Sequence, residues 1–159
     1  MRNKIWYNLV DCKTNEYYSA TVTRYYQWAE WLLNSFLVVA TSASVAAWTI
    51  WKDLYLVWAA VIGLSQVLLL LKPFLLFPKY VKTYSEKNLT YQYMSWELEK
   101  LWYNYENGNI DDNQAFAIYD DIKKNLIQND QFPEEVIVIT HKKALTKAEN
   151  RFEQFKNQL

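Results

Sequence analysis

Two long uncharged runs constrain the fold of this chain more than any other feature. They cover residues 31–51 and 54–71, and only Lys52 and Asp53 separate them. A helix of 21 residues spans roughly 31 Å, which is close to the thickness of the hydrocarbon core of a bilayer. After a short interruption, the apolar character of the second run continues to residue 77. The runs therefore predict a transmembrane hairpin with helices over 31–51 and 54–77.

The composition of the whole chain excludes several classes of function. Lys plus Arg and Asp plus Glu each number 17, and general nucleic-acid binding needs a basic surface, so we expect no direct nucleic-acid binding. The single cysteine, Cys12, excludes an intramolecular disulfide and a cysteine-based zinc site. Two glycines, Gly63 and Gly108, cannot build a glycine-rich phosphate loop.

Aromatic residues cluster at both predicted ends of each membrane helix. Indole and phenol rings prefer the headgroup interface, so the clusters are typical of two interfacial belts. The aromatic residues are Trp28, Trp31, Trp48, Trp51, Tyr55, Trp58, Phe74, Phe77 and Tyr80.

Basic residues flank the hairpin on its open side. A two-residue turn places both termini on one side of the membrane, and the excess of positive charge there predicts a cytoplasmic location for both. The N-terminal residues have no apolar core of the signal-peptide type. We therefore expect a multi-pass protein of the cell inner membrane. The flanking basic residues are Lys13, Arg24, Lys72, Lys79, Lys82 and Lys87.

The remaining segments have helical periodicity. Residues 1–30 are predicted to be a cytoplasmic amphipathic lead-in in which the helix begins near Asn15 or Glu16. Residues 78–159 are predicted to be a cytoplasmic helical domain. Its first helix carries two apolar stripes, which predicts packing on more than one neighbour. One stripe comprises Tyr91, Met94, Leu98, Leu101, Trp102 and Tyr105, and the other comprises Leu89, Tyr93 and Trp96.

Turn and capping residues divide the C-terminal domain. The sequence of residues 107–109 is typical of a helix end, and the acids at 111–112 favour a new helix start. The next helix is predicted to end at residues 129–130. Pro133 then favours a last helix that runs to the C-terminus, although the β-branched run 136–140 leaves a short strand as the alternative. The predicted fold class is an all-α membrane protein, a two-helix transmembrane hairpin with a cytoplasmic helical domain.

The chain shows no constellation of catalytic or metal-binding residues. The only histidine, His141, lies on the apolar stripe of the predicted last helix and has no second ligand at metal-binding spacing. The two membrane runs contain no ionisable side chain, which argues against a proton-coupled transporter. We therefore expect no enzymatic activity, no catalytic or metal-binding residue and no cofactor.

Polar and small residues recur along the first membrane run. Ser35, Ser42 and Thr49 are seven residues apart and share one helical face. Such a face favours helix packing within the membrane, or it lines a water-filled path formed by several copies. Both interpretations remain open, because a single hairpin cannot enclose a channel. The candidate pore-lining or helix-packing residues are Asn34, Ser35, Thr41, Ser42, Thr49 and Gln66.

A second candidate site is an oligomer or partner interface in the cytoplasmic domain. The large aromatic content of the two predicted amphipathic helices there favours contact with another protein. The candidate interface residues are Trp96, Trp102, Tyr105, His141, Phe152 and Phe155.

The layout of the whole chain resembles the SLATT family of bacterial two-transmembrane proteins. The resemblance rests on four segments, YYSATVTRYYQWAEW, KPFLLFPKYVKTYSEK, YQYMSWELEKLWYNYENG and FPEEVIVITHKKA. It implies a membrane effector of anti-phage defence that oligomerises when triggered and permeabilises or depolarises the inner membrane. It also implies a homo-oligomer in the lipid bilayer, with sensing by a separate protein or a nucleotide second-messenger system. The alternatives are a non-conducting membrane anchor that recruits a soluble partner and, less favoured by the large cytoplasmic domain, a phage holin.

Overall fold

The computed structural model describes residues 1–50, 55–134 and 136–157, and their side chains except at 43–50. These residues form α-helices, one 3₁₀ turn at Lys72–Phe74, and no strand. The helices are α1 (Arg2–Ile50), α2 (Tyr55–Leu71), α3 (Phe77–Glu106), α4 (Asp112–Asn129) and α5 (Lys142–Lys156). The prediction of an all-helical fold is thus confirmed over the described residues.

The chain divides into two compact units. Unit 1 combines Met1–Arg24 with Tyr80–Leu159, and unit 2 is Tyr25–Lys79. Unit 1 therefore contains the start of α1, most of α3, and all of α4 and α5, whereas unit 2 contains α2.

Unit 1 has a core built from one stripe of each helix. Side chains four and three residues apart on α1 meet the predicted stripe of α3 and the inner face of α4, which is how amphipathic helices bury apolar surface. These buried residues are Ile5, Leu9, Cys12, Tyr91, Met94, Leu98, Leu101, Ala115, Tyr119 and Ile122. Helix α5 adds the buried side chains Ala144, Ala148 and Phe152.

Helix α1 begins much earlier than the sequence predicted. It starts at Arg2 rather than near Asn15. The reason is the buried stripe of Ile5, Leu9 and Cys12, whose burial against α3 and α4 stabilises this first part of the helix. Helix stability in proteins depends mostly on such packing rather than on local propensity.

The prediction of a continuous last helix from Pro133 is wrong, and the described part of residues 131–141 forms no strand either. The Val136 N–H donates to the Pro133 carbonyl at 2.9 Å, which forms a turn. Further on, the Tyr18 hydroxyl donates to the Ile139 carbonyl at 3.3 Å and accepts from the His141 N–H at 3.2 Å. These tertiary hydrogen bonds hold an irregular segment, and α5 begins only after it.

The predicted boundary between α3 and α4 is confirmed. Gly108 has a φ of 67°, the left-handed conformation that ends helices and suits glycine. The Asp111 carboxylate accepts from the Gln114 N–H at 2.7 Å, and the Gln114 side chain accepts from the Asp111 N–H at 3.1 Å. This capping box satisfies donors that the start of α4 would otherwise leave unpaired.

Candidate functional site

One helix among the described residues is long and apolar enough to cross a membrane. It covers Tyr55–Phe74, with 20 residues and a mean hydropathy of 1.8. Only 6% of this window is buried within the protein. A core helix of a soluble protein can be equally apolar, but it is mostly buried. The low burial of Tyr55–Phe74 therefore distinguishes it from such a core helix.

Nearly all of the first predicted membrane run is part of a longer helix. The chain is helical through Ile50, so residues 31–50 of the run lie within α1. The predicted turn at Lys52 and Asp53 lies outside the described residues.

Unit 2 exposes a large apolar surface. Val38 and Val39 of α1 and Leu56 and Leu70 of α2 are all more than half exposed. Burying one such side chain is worth about 1.5–3 kcal/mol relative to leaving it in water. An apolar environment that covers this surface would therefore stabilise the unit.

The candidate polar residues of α1 fall into two classes of exposure. Asn34 and Ser35 are half-buried, whereas Thr41 and Ser42 are exposed. The Thr41 hydroxyl donates to the Leu37 carbonyl at 2.8 Å, which satisfies it within its own helix. The Thr49 side chain lies outside the described residues.

In α2 the candidate residue Gln66 is exposed, and its neighbour Ser65 is fully buried. The Ser65 hydroxyl donates to the Ile62 carbonyl at 2.8 Å. The buried polar position of α2 is therefore one residue before the candidate.

Asn34 carries an unmet hydrogen-bonding group. Its Oδ1 atom is shielded from solvent and has no donor among the described residues. Leaving a buried acceptor unpaired costs about 1–3 kcal/mol, so native structures rarely keep one without a reason. Asn34 is the candidate polar residue of α1 for which the structure shows such a cost.

Unit 1 presents an exposed aromatic face on α3, here called the Trp96 surface, formed by Tyr93, Trp96, Lys100 and Tyr103. Trp96 is 52% exposed. The Lys100 ammonium lies 4.0 Å from the Trp96 ring centroid, and the rings of Tyr93 and Trp96 are 6.3 Å apart. A groove of about 520 Å³ runs beside Trp96 and Tyr103. The second apolar stripe predicted for this helix is thus exposed.

Trp102 lies next to this surface but is held within unit 1. Its ring packs on Trp6 with 5.2 Å between centroids, and the Arg2 guanidinium lies 5.4 Å from it. Arg2 also pairs with Glu106 at 2.6 Å. These contacts tie the first turn of α1 to the end of α3.

Two other interface candidates have structural contacts. The Tyr105 hydroxyl donates to the Asp112 carboxylate at 2.7 Å, and this hydrogen bond raises the pKa of Tyr105. His141 occupies the N-cap position of α5, and its half-buried side chain is not on a helix face. The structure therefore places both residues at connections between helices.

The remaining candidates, Phe152 and Phe155, pack against one another with 6.2 Å between centroids. Phe152 is buried, whereas Phe155 is half-buried and lies 5.0 Å from the Lys13 ammonium. Lys13 in turn pairs with Glu99 at 2.9 Å and Glu16 at 3.2 Å. Burial alone would lower the pKa of Lys13, but the hydrogen bonds to these carboxylates raise it.

Sequence reasoning missed a buried ionic cluster, here called the Lys87 clamp. The Lys87 ammonium donates to Asp130 Oδ1 at 3.0 Å and to the Asn129 carbonyl at 3.2 Å. It also lies 4.6 Å from the Phe132 ring, and the Tyr91 hydroxyl donates to Asp130 Oδ1 at 2.6 Å. Burial is the largest cause that raises the pKa of Tyr91, and the hydrogen bond to Asp130 is the second. The clamp fixes the end of α4 to α3.

The Cys12 thiol is buried in the core of unit 1. Burial is the main cause that raises its pKa from 9.0 to about 12, and the nearby Asp11 adds to the effect. A thiol with such a pKa is a weak nucleophile at neutral pH. Over the described residues, no group of three or more His, Cys, Asp or Glu side chains is placed to hold a metal ion.

Comparison with protein-family models, with curated proteins and with solved structures gives no match for this chain.

Proposed function

We propose that this chain is a membrane effector that oligomerises when triggered and permeabilises or depolarises the bacterial inner membrane. The observation that carries the proposal is the helix Tyr55–Phe74, which is strongly apolar and almost entirely unburied. A bilayer supplies the apolar environment that this surface needs. The resemblance of the layout to the SLATT family supplies the biological setting of anti-phage defence.

In this proposal residues 31–51 form a second membrane helix and pair with α2 as a hairpin. The exposed Val38 and Val39 support membrane contact for the first helix. The excess of basic residues outside the hairpin supports cytoplasmic locations for both termini. The cytoplasmic helices carry no catalytic role in this proposal and serve to assemble copies.

The polar face of the first membrane helix would then line the conducting path. Thr41 and Ser42 are exposed within their unit, so they are accessible to another copy or to water. The unpaired Oδ1 of Asn34 also favours a second arrangement of the helices, in which a donor meets it. Because one hairpin encloses no channel, the path requires several copies.

A non-conducting membrane anchor is the second candidate, and the Trp96 surface favours it. Exposed tryptophan and tyrosine beside a groove are typical of a protein interface. An anchor would recruit a soluble partner through this surface and use the hairpin only for attachment.

The decisive experiment measures membrane potential with a potential-sensitive dye in bacteria that express the full chain. The double variant Thr41→Leu/Ser42→Leu should abolish depolarisation because it removes the polar groups from the path. The matched control is Val38→Leu/Val39→Leu, which alters two other exposed positions on the same helix without removing a polar group. Membrane fractionation and immunoblotting should show equal amounts of both variants.

The outcomes separate the two candidates. Depolarisation by the wild type and by the valine control, with none from the Thr41/Ser42 variant, supports the lined path. Equal depolarisation by both variants contradicts the assignment of these residues to the path. If the wild type never depolarises, alone or during phage infection, and an unrelated hairpin of equal length replaces residues 31–71 without loss, the chain is an anchor.

A further inference from the structure

Unit 1 contains an aromatic cavity that none of the roles above uses. Its volume is about 260 Å³, and it lies between α1, α3, the start of α5 and the irregular segment before α5. Three aromatic rings form much of its wall. Tyr84 packs edge-on against Phe132 at 5.8 Å and against Tyr18 at 6.4 Å between centroids. Such rings offer both faces and edges to an aromatic guest.

The lining of this cavity also offers a hydrogen-bonding group, the hydroxyl of a serine. Ser19 is 3% exposed and lines the cavity. Among the described residues, its Oγ atom has no hydrogen-bond partner, in contrast to the nearby Thr21 and Thr23, whose hydroxyls donate to carbonyls of their own helix. The Ser19 hydroxyl is therefore available to a molecule that enters the cavity.

We propose that this cavity binds an uncharged, planar, bicyclic aromatic molecule that exchanges a hydrogen bond with the Ser19 hydroxyl. The size follows from volume, because a cavity of roughly 150 Å³ already accommodates benzene and this one is about 260 Å³. The rim residues Asn15, Val138 and Thr140 are exposed, so the cavity is open to a ligand from solvent.

The absence of a charged lining residue sets the charge of the ligand. The described residues that line the cavity are aromatic, aliphatic or uncharged polar. Lys87 and Asp130 contact the lining residues Phe132 and Tyr91, and these two charges pair with one another. A charged guest would lose its hydration without gaining a counter-charge, which is costly. The proposal concerns unit 1 alone and does not depend on the membrane activity.

The test follows 5-fluoroindole by ¹⁹F NMR in the presence of the full-length protein in detergent micelles. Partition into micelles rises linearly with concentration, whereas binding to the cavity saturates, so the two are separable. Ser19→Leu fills the floor and should remove the saturable component. Ser19→Ala should weaken binding about fivefold, which corresponds to the loss of one hydrogen bond. Ser65→Ala, a buried serine in unit 2, is the matched control and should leave binding unchanged.

A second pair of variants tests the mouth of the cavity without altering the core. Val138→Trp places an indole at an exposed lining position and should block entry, whereas the neighbouring Ile137→Trp, which does not line the cavity, should bind as the wild type does. This pair of variants tests whether the ligand binds in the cavity even if Ser19→Leu fails to fold. The proposal is overturned if the wild type shows no saturable component, or if Val138→Trp and Ile137→Trp behave alike.

Discussion

The two charged members of the Lys87 clamp should differ in how much their loss destabilises unit 1. The Lys87 side chain is 4% exposed, whereas that of Asp130 is 37% exposed. Among the described contacts, Asp130→Ala therefore leaves the buried ammonium with the Asn129 carbonyl and the Phe132 ring. Lys87→Met leaves a carboxylate that still reaches water and still accepts from the Tyr91 hydroxyl.

The magnitudes follow from these surroundings. Removing one partner of a buried ion pair costs about 3–5 kcal/mol, and Asp130→Ala should cost about 4 kcal/mol. Lys87→Met keeps most of the apolar stem and loses mainly hydrogen bonds to a charged group, so about 2 kcal/mol is expected. The double variant should be more stable than Asp130→Ala alone, because it removes the uncompensated cation.

The measurement is hydrogen exchange at amides 126–130 of the full-length protein in detergent micelles, which reports local opening at the end of α4. The matched control is the pair of Lys124 and Asp120, which are 2.6 Å apart but have side chains 68% and 46% exposed. Lys124→Met and Asp120→Ala should leave protection unchanged within error, because exposed pairs contribute little.

Two results would refute this reasoning. One is a larger loss of protection for Lys87→Met than for Asp130→Ala, because the difference in burial would then have no energetic consequence. The other is a double variant less stable than Asp130→Ala alone. That result would mean that Lys87 stabilises unit 1 by contacts other than the ion pair.

Three further predictions concern unit 1. Burial raises the Cys12 pKa from 9.0 to about 12, so the thiol stays protonated in the folded protein at pH values where it ionises in the unfolded chain. The free energy of unfolding should therefore fall as pH rises above 9. Cys12→Ala should flatten this fall, as measured by denaturant titrations. Asp111→Ala should destabilise α4 by about 1 kcal/mol through loss of its cap, measured by hydrogen exchange, whereas exposed Asp121→Ala should not. Gly108→Ala should cost about 1 kcal/mol in thermal unfolding because its φ is positive, although the site has room for a Cβ.

Helix boundaries were predictable where local chemistry sets them. The end of α3 depends on Gly108, and the start of α4 depends on the Asp111–Gln114 capping box, so a few adjacent residues carry the whole signal. Such signals act without tertiary contacts, which is why sequence reasoning located this boundary.

Boundaries that depend on tertiary contacts were missed. The first turns of α1 form because Ile5 and Leu9 are buried by other helices, and the segment before α5 stays irregular because Tyr18 bonds its backbone. Pro133 also suits a helix start, but tertiary contacts such as those of the distant Tyr18 hold the segment in an irregular conformation. No local pattern encodes a partner more than a hundred residues away.

The Lys87 clamp combines one feature that the sequence indicates with another that depends on tertiary contacts. The predicted stripe of α3 began at Tyr91, but its spacing extends back through Lys87 to Tyr84, and all three are buried. A lysine in register with an apolar stripe predicts a buried cation that needs a partner. Its partners Asp130 and Asn129 depend on how α4 packs on α3, which the sequence alone does not state.

Asn34 is a stronger marker of assembly than Thr41, although spacing alone ranks them equally. The Thr41 hydroxyl donates to its own helix, so a lipid environment would leave it satisfied at little cost. An asparagine also carries an acceptor oxygen, which the carbonyls of its own helix cannot satisfy, and the Asn34 Oδ1 has no donor among the described residues. In a bilayer, only another helix or a water-filled path supplies such a donor. The case for several copies in the proposed function therefore rests more on Asn34 than on the threonine–serine stripe.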